Sequence, residues 1–83
     1  SNEIKNLNCN IYPNPTNGQI TIELPNVTQG HTFTLYNLLG ERLMETPIKG
    51  STATLKIEQP AGIYLYRITA PNGTALSGKL VVE

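Results

Sequence analysis

The sequence predicts an all-β fold, an immunoglobulin-like sandwich of seven antiparallel strands, and three observations carry that prediction. Turn-forming residues recur about every ten positions after the first cluster. The segments between them are short and rich in Ile, Leu, Val, Thr and Tyr. No stretch carries the spacing of an amphipathic helix. The turn clusters are Asn14-Pro15-Thr16-Asn17-Gly18, Pro25-Asn26, Gly30, Leu39-Gly40-Glu41, Lys49-Gly50-Ser51, Pro60-Ala61-Gly62 and Pro71-Asn72-Gly73. Their Asn-Gly and Pro-Asn-Gly steps suit the positive φ values that tight turns require.

Residues 1–8 lack alternation and read as a linker to a larger parent protein, with Ser1-Asn2 as an expression scar. The first strand is expected over 9–12, and Pro13 and Pro15 end it because neither can donate to a ladder. In 19–24, Ile20, Ile22 and Leu24 face one way and Thr21 and Glu23 the other. Segment 32–37 repeats the pattern with Phe33 and Leu35 against Thr34, and 42–46 supplies a fourth strand. In 53–57, Leu55 and Ile57 oppose Lys56. Segment 63–69 is apolar on both faces, which assigns it a central place, and 74–82 holds Gly78, read as a bulge or bend. One face in and one face wet is what two packed antiparallel sheets need.

A chain of 83 residues is one domain, here 9–83, with little volume left for a deep pocket. Six basic and six acidic side chains cancel, and only 14% of residues are charged, so the positive footprint of a nucleic-acid binder is missing. Asp does not occur, which argues against Asp-built calcium loops. A single cysteine, Cys9, permits no internal disulfide and no zinc site of its own. No apolar run approaches the roughly 20 residues of a membrane span. No signal peptide is visible, so export would rest on a signal carried by the parent. No cofactor, metal or small-molecule substrate is expected.

The residues with chemical potential each have a plainer reading. His31, beside Gly30, is expected as a surface turn residue, because a catalytic base needs a nucleophile and an orienting carboxylate and the chain has no Asp. Cys9 reads as a small buried hydrophobe. Glu3, Glu23, Glu41, Glu45, Glu58 and Glu83 show no paired spacing of the glycosidase kind. Two sequons, Asn26-Val27-Thr28 and Asn72-Gly73-Thr74, are weak three-residue matches. Tyr12, Tyr36, Tyr64 and Tyr66 could build an aromatic binding face, but strand core is the stronger reading. Tyr64, two residues after Gly62, has the placement of a sandwich tyrosine corner.

Taken in order, the motifs have a family likeness. Ile11-Tyr12-Pro13-Asn14-Pro15 followed by Gly18 resembles the opening of the C-terminal sorting domains of the type IX secretion system of Bacteroidetes. Leu35-Tyr36-Asn37-Leu38-Leu39-Gly40-Glu41-Arg42-Leu43 is similar to that family's aromatic–Asn–x–x–Gly hairpin. Leu55-Lys56-Ile57 and Pro60-Ala61-Gly62-Ile63-Tyr64 resemble a third element, and Gly78-Lys79-Leu80-Val81-Val82 the terminal strand. The likeness spans 11–82 and implies the same immunoglobulin-like sandwich.

It also implies a function. The parent would reach the periplasm, and the folded domain would be recognised by an outer-membrane translocon and its shuttle protein. A sortase-like peptidase would then remove it upstream of residue 9, leaving the cargo at the cell surface or outside. Pro13, Asn14, Pro15, Gly18, Gly40, Gly62 and Tyr64 would serve by building the recognised fold, with Gly18, Gly40 and Gly62 at φ values closed to other residues. Lys79, Leu80, Val81 and Val82 would meet the machinery more directly, through an unpaired edge open to strand addition. An edge strand also leaves room for a weak homodimer. The rival reading is a structural or adhesive immunoglobulin-like module of a secreted hydrolase or peptidase.

Overall fold

The computed structural model describes residues 9–24 and 30–83, so the expected linker at 1–8 and the turn at Pro25-Asn26 lie outside the described residues. Seven strands follow in chain order: β1 (Asn10–Tyr12), β2 (Gln19–Glu23), β3 (His31–Tyr36), β4 (Arg42–Ile48), β5 (Thr52–Lys56), β6 (Gly62–Thr69) and β7 (Ala75–Val82). Each overlaps an expected segment and shifts by a residue or two at its ends. The largest extension is β4, which runs on through Pro47 to Ile48. Proline is tolerated there because β4 is an outermost strand.

The strands form two antiparallel sheets, one ordered β1-β2-β5 and the other β4-β3-β6-β7. Alternation decides which side chains meet between them. Ile20, Ile22 and Leu24 come from β2 and its end, and Ile57 follows β5. Facing them are Phe33, Leu35, Ile48, Tyr64, Ile68, Leu80 and Val82 from the four-stranded sheet. Phe33, Ile20, Ile22, Leu35, Ile48, Ile68 and Leu80 expose no surface at all.

Two hairpins use one construction. In the β3–β4 turn the Gly40 amide donates to the Asn37 carbonyl at 3.0 Å and the Asn37 amide to the Glu41 carbonyl at 3.0 Å. In the β6–β7 turn the Gly73 amide donates to Ala70 at 3.0 Å and the Ala70 amide to Thr74 at 2.7 Å. Gly40 (φ 88°) and Gly73 (φ 93°) occupy the left-handed position that closes such three-residue loops, where a Cβ would be strained. Asn37 adds its side chain: its Oδ1 accepts from the Leu39 and Glu41 amides, both at 2.9 Å, and its Nδ2 donates to Glu41 Oε1.

Three expectations need correction. His31 is a buried residue of β3, facing the interior with Phe33 and Leu35, and not a surface turn residue. Strand β3 begins at His31, one residue sooner than the alternation from Phe33 suggests. Gly78 makes no bulge, since β6 and β7 stay in register along their length. A Cβ at Gly78 would instead fall within 3 Å of the Tyr66 ring and hydroxyl, so glycine leaves room for that ring, which also stacks on Phe33 at a centroid distance of 6.2 Å. Gly62 keeps an ordinary backbone, and a Cβ there would meet nothing nearer than 3.7 Å. The central place expected for 63–69 is met, since β6 lies between β3 and β7, and its outer face leaves Ile63 and Leu65 exposed.

Gly62→Ala should therefore shift the urea midpoint little, within about 0.5 kcal/mol. Gly78→Ala should cost about 1–3 kcal/mol, the usual cost of overpacking. In a Tyr66→Ala background the same change should cost almost nothing, since the ring it displaces is gone. An equal cost in both backgrounds would separate Gly78 from Tyr66.

Candidate functional site

After β1 the chain runs through Pro13-Asn14-Pro15-Thr16, and the peptide bonds preceding Pro13 and Pro15 are cis. Two prolines remove two amides, so this stretch cannot pair with a neighbour as a regular strand. A side chain supplies what the backbone lacks. Asn14 Nδ2 donates to the Lys79 carbonyl at 2.8 Å, and the Val81 amide donates to Asn14 Oδ1 at 3.1 Å. One residue past Pro15 the backbone takes over. The Thr16 amide donates to the Val81 carbonyl, and the Glu83 amide to the Thr16 carbonyl, both at 2.8 Å. Thr16 and Val82 thus form a parallel bridge.

Together these four bonds close the outer edge of β7 from Lys79 to Glu83. The expectation of an unpaired edge in the last strand is corrected here, because Asn14 and Thr16 occupy it. Thr16 is fixed in turn. Its hydroxyl donates to the Gln19 carbonyl at 2.6 Å and accepts from the Gly18 and Gln19 amides, both at 3.1 Å. It is 1% exposed, a buried polar group whose hydrogen-bonding capacity is used. Gly18 stands at φ 127° and accepts the Ile57 amide at 2.6 Å, which ties the loop to the chain leaving β5.

The sequence-derived residues gather at one end of the four-stranded sheet. In the β6–β7 ladder Gly62 pairs with Val82, Ile63 with Val81 and Tyr64 with Leu80. Tyr64 is buried and its hydroxyl donates to the Pro60 carbonyl at 2.5 Å, the bond expected of a tyrosine corner. Tyr36 pairs with Leu65, so the turn holding Gly40 lies at this same end. Thr16 is the residue that sequence reasoning missed. Its only signal is Thr two positions before Gly in a Pro-Thr-Asn-Gly run, where a hydroxyl can cap a turn.

The chemistry here is that of a scaffold. Cys9 precedes β1, half-buried against the core, and burial pushes its thiol up to about 11. Tyr12 donates to Glu23 Oε2 at 2.8 Å, and that bond, more than burial or the carboxylate's charge, raises its pKa. Burial raises Tyr66, with nearby Cys9 adding to the effect. Among the described residues no three His, Cys, Asp or Glu side chains gather as metal ligands.

Comparison with known proteins agrees with this geometry. A family model described as the secretion system C-terminal sorting domain matches residues 10–83. A crystal structure of a DUF3244 family protein with an immunoglobulin-like β-sandwich fold, from Bacteroides vulgatus ATCC 8482, is similar at a TM-score of 0.71 and 18% identity. That likeness covers 98% of this chain and 100% of the other, and at such identity it bears on the fold alone. Among curated proteins none matches the chain.

Thr16→Val should destabilise by about 1–3 kcal/mol, because it strands the Gly18 and Gln19 amides, while Thr16→Ser should keep most of the stability. Asn14→Ala, at an exposed site where water can substitute, should cost only about 1 kcal/mol. Urea midpoints decide the ranking, and an Asn14 effect larger than that of Thr16 would reverse it. For Cys9 the sign is that of a thiol kept neutral by folding. Its contribution is in place below about pH 9 and is lost as pH rises toward 11. Alkylation by iodoacetamide at pH 8 should be roughly a hundredfold slower in the folded protein than in urea, as the thiolate fraction dictates. Equal rates would contradict the burial of the thiol.

Proposed function

We propose that this chain, which belongs to the family of C-terminal sorting domains of the type IX secretion system, acts as a folded address on a larger cargo protein. A sorting domain of this kind carries its cargo to the cell surface or beyond. In the finer reading, the cargo first enters the periplasm. The outer-membrane translocon and its shuttle protein select the domain in its folded state, and a sortase-like peptidase cuts upstream of residue 9. Residues 1–8 then serve as the linker that is cut. The domain performs no reaction itself and is the substrate of the machinery.

The observation that carries this reading is the clasp. Two motifs of the family pattern, at 11–18 and 78–82, lie far apart in sequence and are hydrogen-bonded to each other through Asn14 and Thr16. A pattern kept at both ends then describes one surface feature, which a receptor can read only when the domain is folded. Pro13, Pro15, Gly18, Gly40, Gly62 and Tyr64 support that feature, and Lys79 to Val82 present it.

Fusing residues 1–83 to the C-terminus of a fluorescent reporter bearing a periplasmic export signal tests the reading. The reporter should reach the surface or medium of a type IX-competent cell and stay periplasmic in a translocon-deficient one. Deleting Lys79 to Glu83 should abolish export. Lys79→Glu, which keeps the apolar pattern, separates direct contact from stability: normal folding with lost export indicates contact. A folded fusion retained in the periplasm, together with retention on polysaccharide columns, would replace sorting with the adhesive module.

A further inference from the structure

The outer face of the four-stranded sheet carries features that neither the core nor the clasp uses. By register Tyr36 of β3, Leu65 of β6 and Lys79 of β7 lie side by side. Ile63 stands opposite Val81, and Arg67 lies between Thr34 and Ser77. Ile63 is 47% and Leu65 42% exposed, and the turn beyond Tyr36 leaves Leu38 and Leu39 at 63% and 86%. Single exposed apolar residues are ordinary. Here four of the five large exposed hydrophobics among the described residues fall on this face or the turn at its end. Tyr36, Leu65, Tyr66, Arg67, Ser77 and Gly78 line a groove of about 290 Å³.

Arg67 and Lys79 flank that apolar strip as diagonal neighbours, about 7–8 Å apart in such a ladder. Among the described residues neither is paired with a carboxylate, whereas Arg42 and Lys56 lie 3.5 and 3.9 Å from Glu45 and Glu58. Two like charges so placed repel each other, and an anion between them relieves the repulsion. We propose that this face docks an extended polypeptide segment carrying apolar and acidic side chains on one side. A carboxylate of that segment sits between Arg67 and Lys79, and its apolar side chains lie on Ile63, Leu65 and Tyr36. An extended chain repeats its side chains on one face every ~6.6 Å, the spacing at which Ile63, Leu65 and Arg67 follow one another along β6. The inference rests on the sorting reading for its biological setting, in which the segment belongs to the secretion machinery.

The probe is a fluorescein-labelled nonapeptide with leucine and glutamate alternating on one face and serine on the other. Anisotropy titration against the full chain should show saturable binding that weakens as salt is raised. The pair Arg67→Glu and Lys79→Glu should weaken it roughly tenfold or more, and Leu65→Ser severalfold, with urea midpoints unchanged because all three side chains are exposed. The same peptide with lysine for glutamate should bind at least roughly tenfold less tightly. No binding of the glutamate peptide, equal binding of the lysine peptide, or full binding by the charge-reversed chain overturns the proposal. So does a signal seen only with vesicles of anionic phospholipid. In the export assay, normal export of the charge-reversed fusion overturns this inference while sparing the sorting reading. An unmodified fusion that fails to export counts against sorting, and the peptide alone then decides the groove.

Discussion

The end of β7 has two neighbours, and only one of them is a strand. On one side β6 supplies a regular ladder from Thr69 to Gly62. On the other, an amide side chain and one threonine backbone supply the missing partners for Lys79, Val81 and Glu83. This end of β7 holds Leu80 and Val82, two members of the core. If these residues lifted, the core they share with Ile20, Ile22 and Tyr64 would be opened. Each bond contributes only about 0.5–1.5 kcal/mol net, but the set keeps in place a strand end whose burial is worth more. A leucine lost from a core typically costs 2–5 kcal/mol, a large share of the stability a small domain has.

The same segment joins the two sheets. It leaves β1 of the three-stranded sheet, reaches the edge of the four-stranded sheet at Thr16, and returns to β2 at Gln19. Sheet packing elsewhere is side chain against side chain, whereas here it is backed by main-chain hydrogen bonds. Pro13 and Pro15 have no amides to offer there, and Asn14 between them bonds to β7 through its side chain. The closed edge also limits strand addition at the last strand. At β7, then, a partner meets a clasped edge and not a bare ladder.

Most of this fold was legible in the sequence because alternation and turn chemistry are local. Ile20-Thr21-Ile22 and Phe33-Thr34-Leu35 announce their faces, and Pro71-Asn72-Gly73 announces its hairpin. What was not legible depends on residues far apart in the chain. Asn14 looks like a turn residue until Lys79 and Val81 are beside it, and the edge of 79–82 looks open until Asn14 and Thr16 are found on it. Gly78 reads as a bend because its real cause, the Tyr66 ring, sits on another strand. Gly62 fails in the opposite sense, since the turn before β6 closes without a left-handed residue there. His31 was misplaced because the glycine beside it reads as a turn signal, whereas β3 already begins at the histidine. For the site, the family likeness named residues near both ends of the domain, and only the pairing of Asn14 and Thr16 with the end of β7 brings those residues together.

Hydrogen exchange along β7 examines the clasp with its own internal control. Outward-facing amides alternate along an antiparallel edge, so those of Ser77, Val81 and Glu83 all point away from β6. Among the described residues only the last two find acceptors, in Asn14 and Thr16. Under native conditions Val81 and Glu83 should exchange far more slowly than Ser77, and Asn14→Ala should remove the protection of Val81 while sparing that of Glu83, whose acceptor is the Thr16 main-chain carbonyl. Exchange of Val81 and Glu83 as fast as that of Ser77 in the unmodified protein would mean that the edge is open and the clasp does not hold the end of β7.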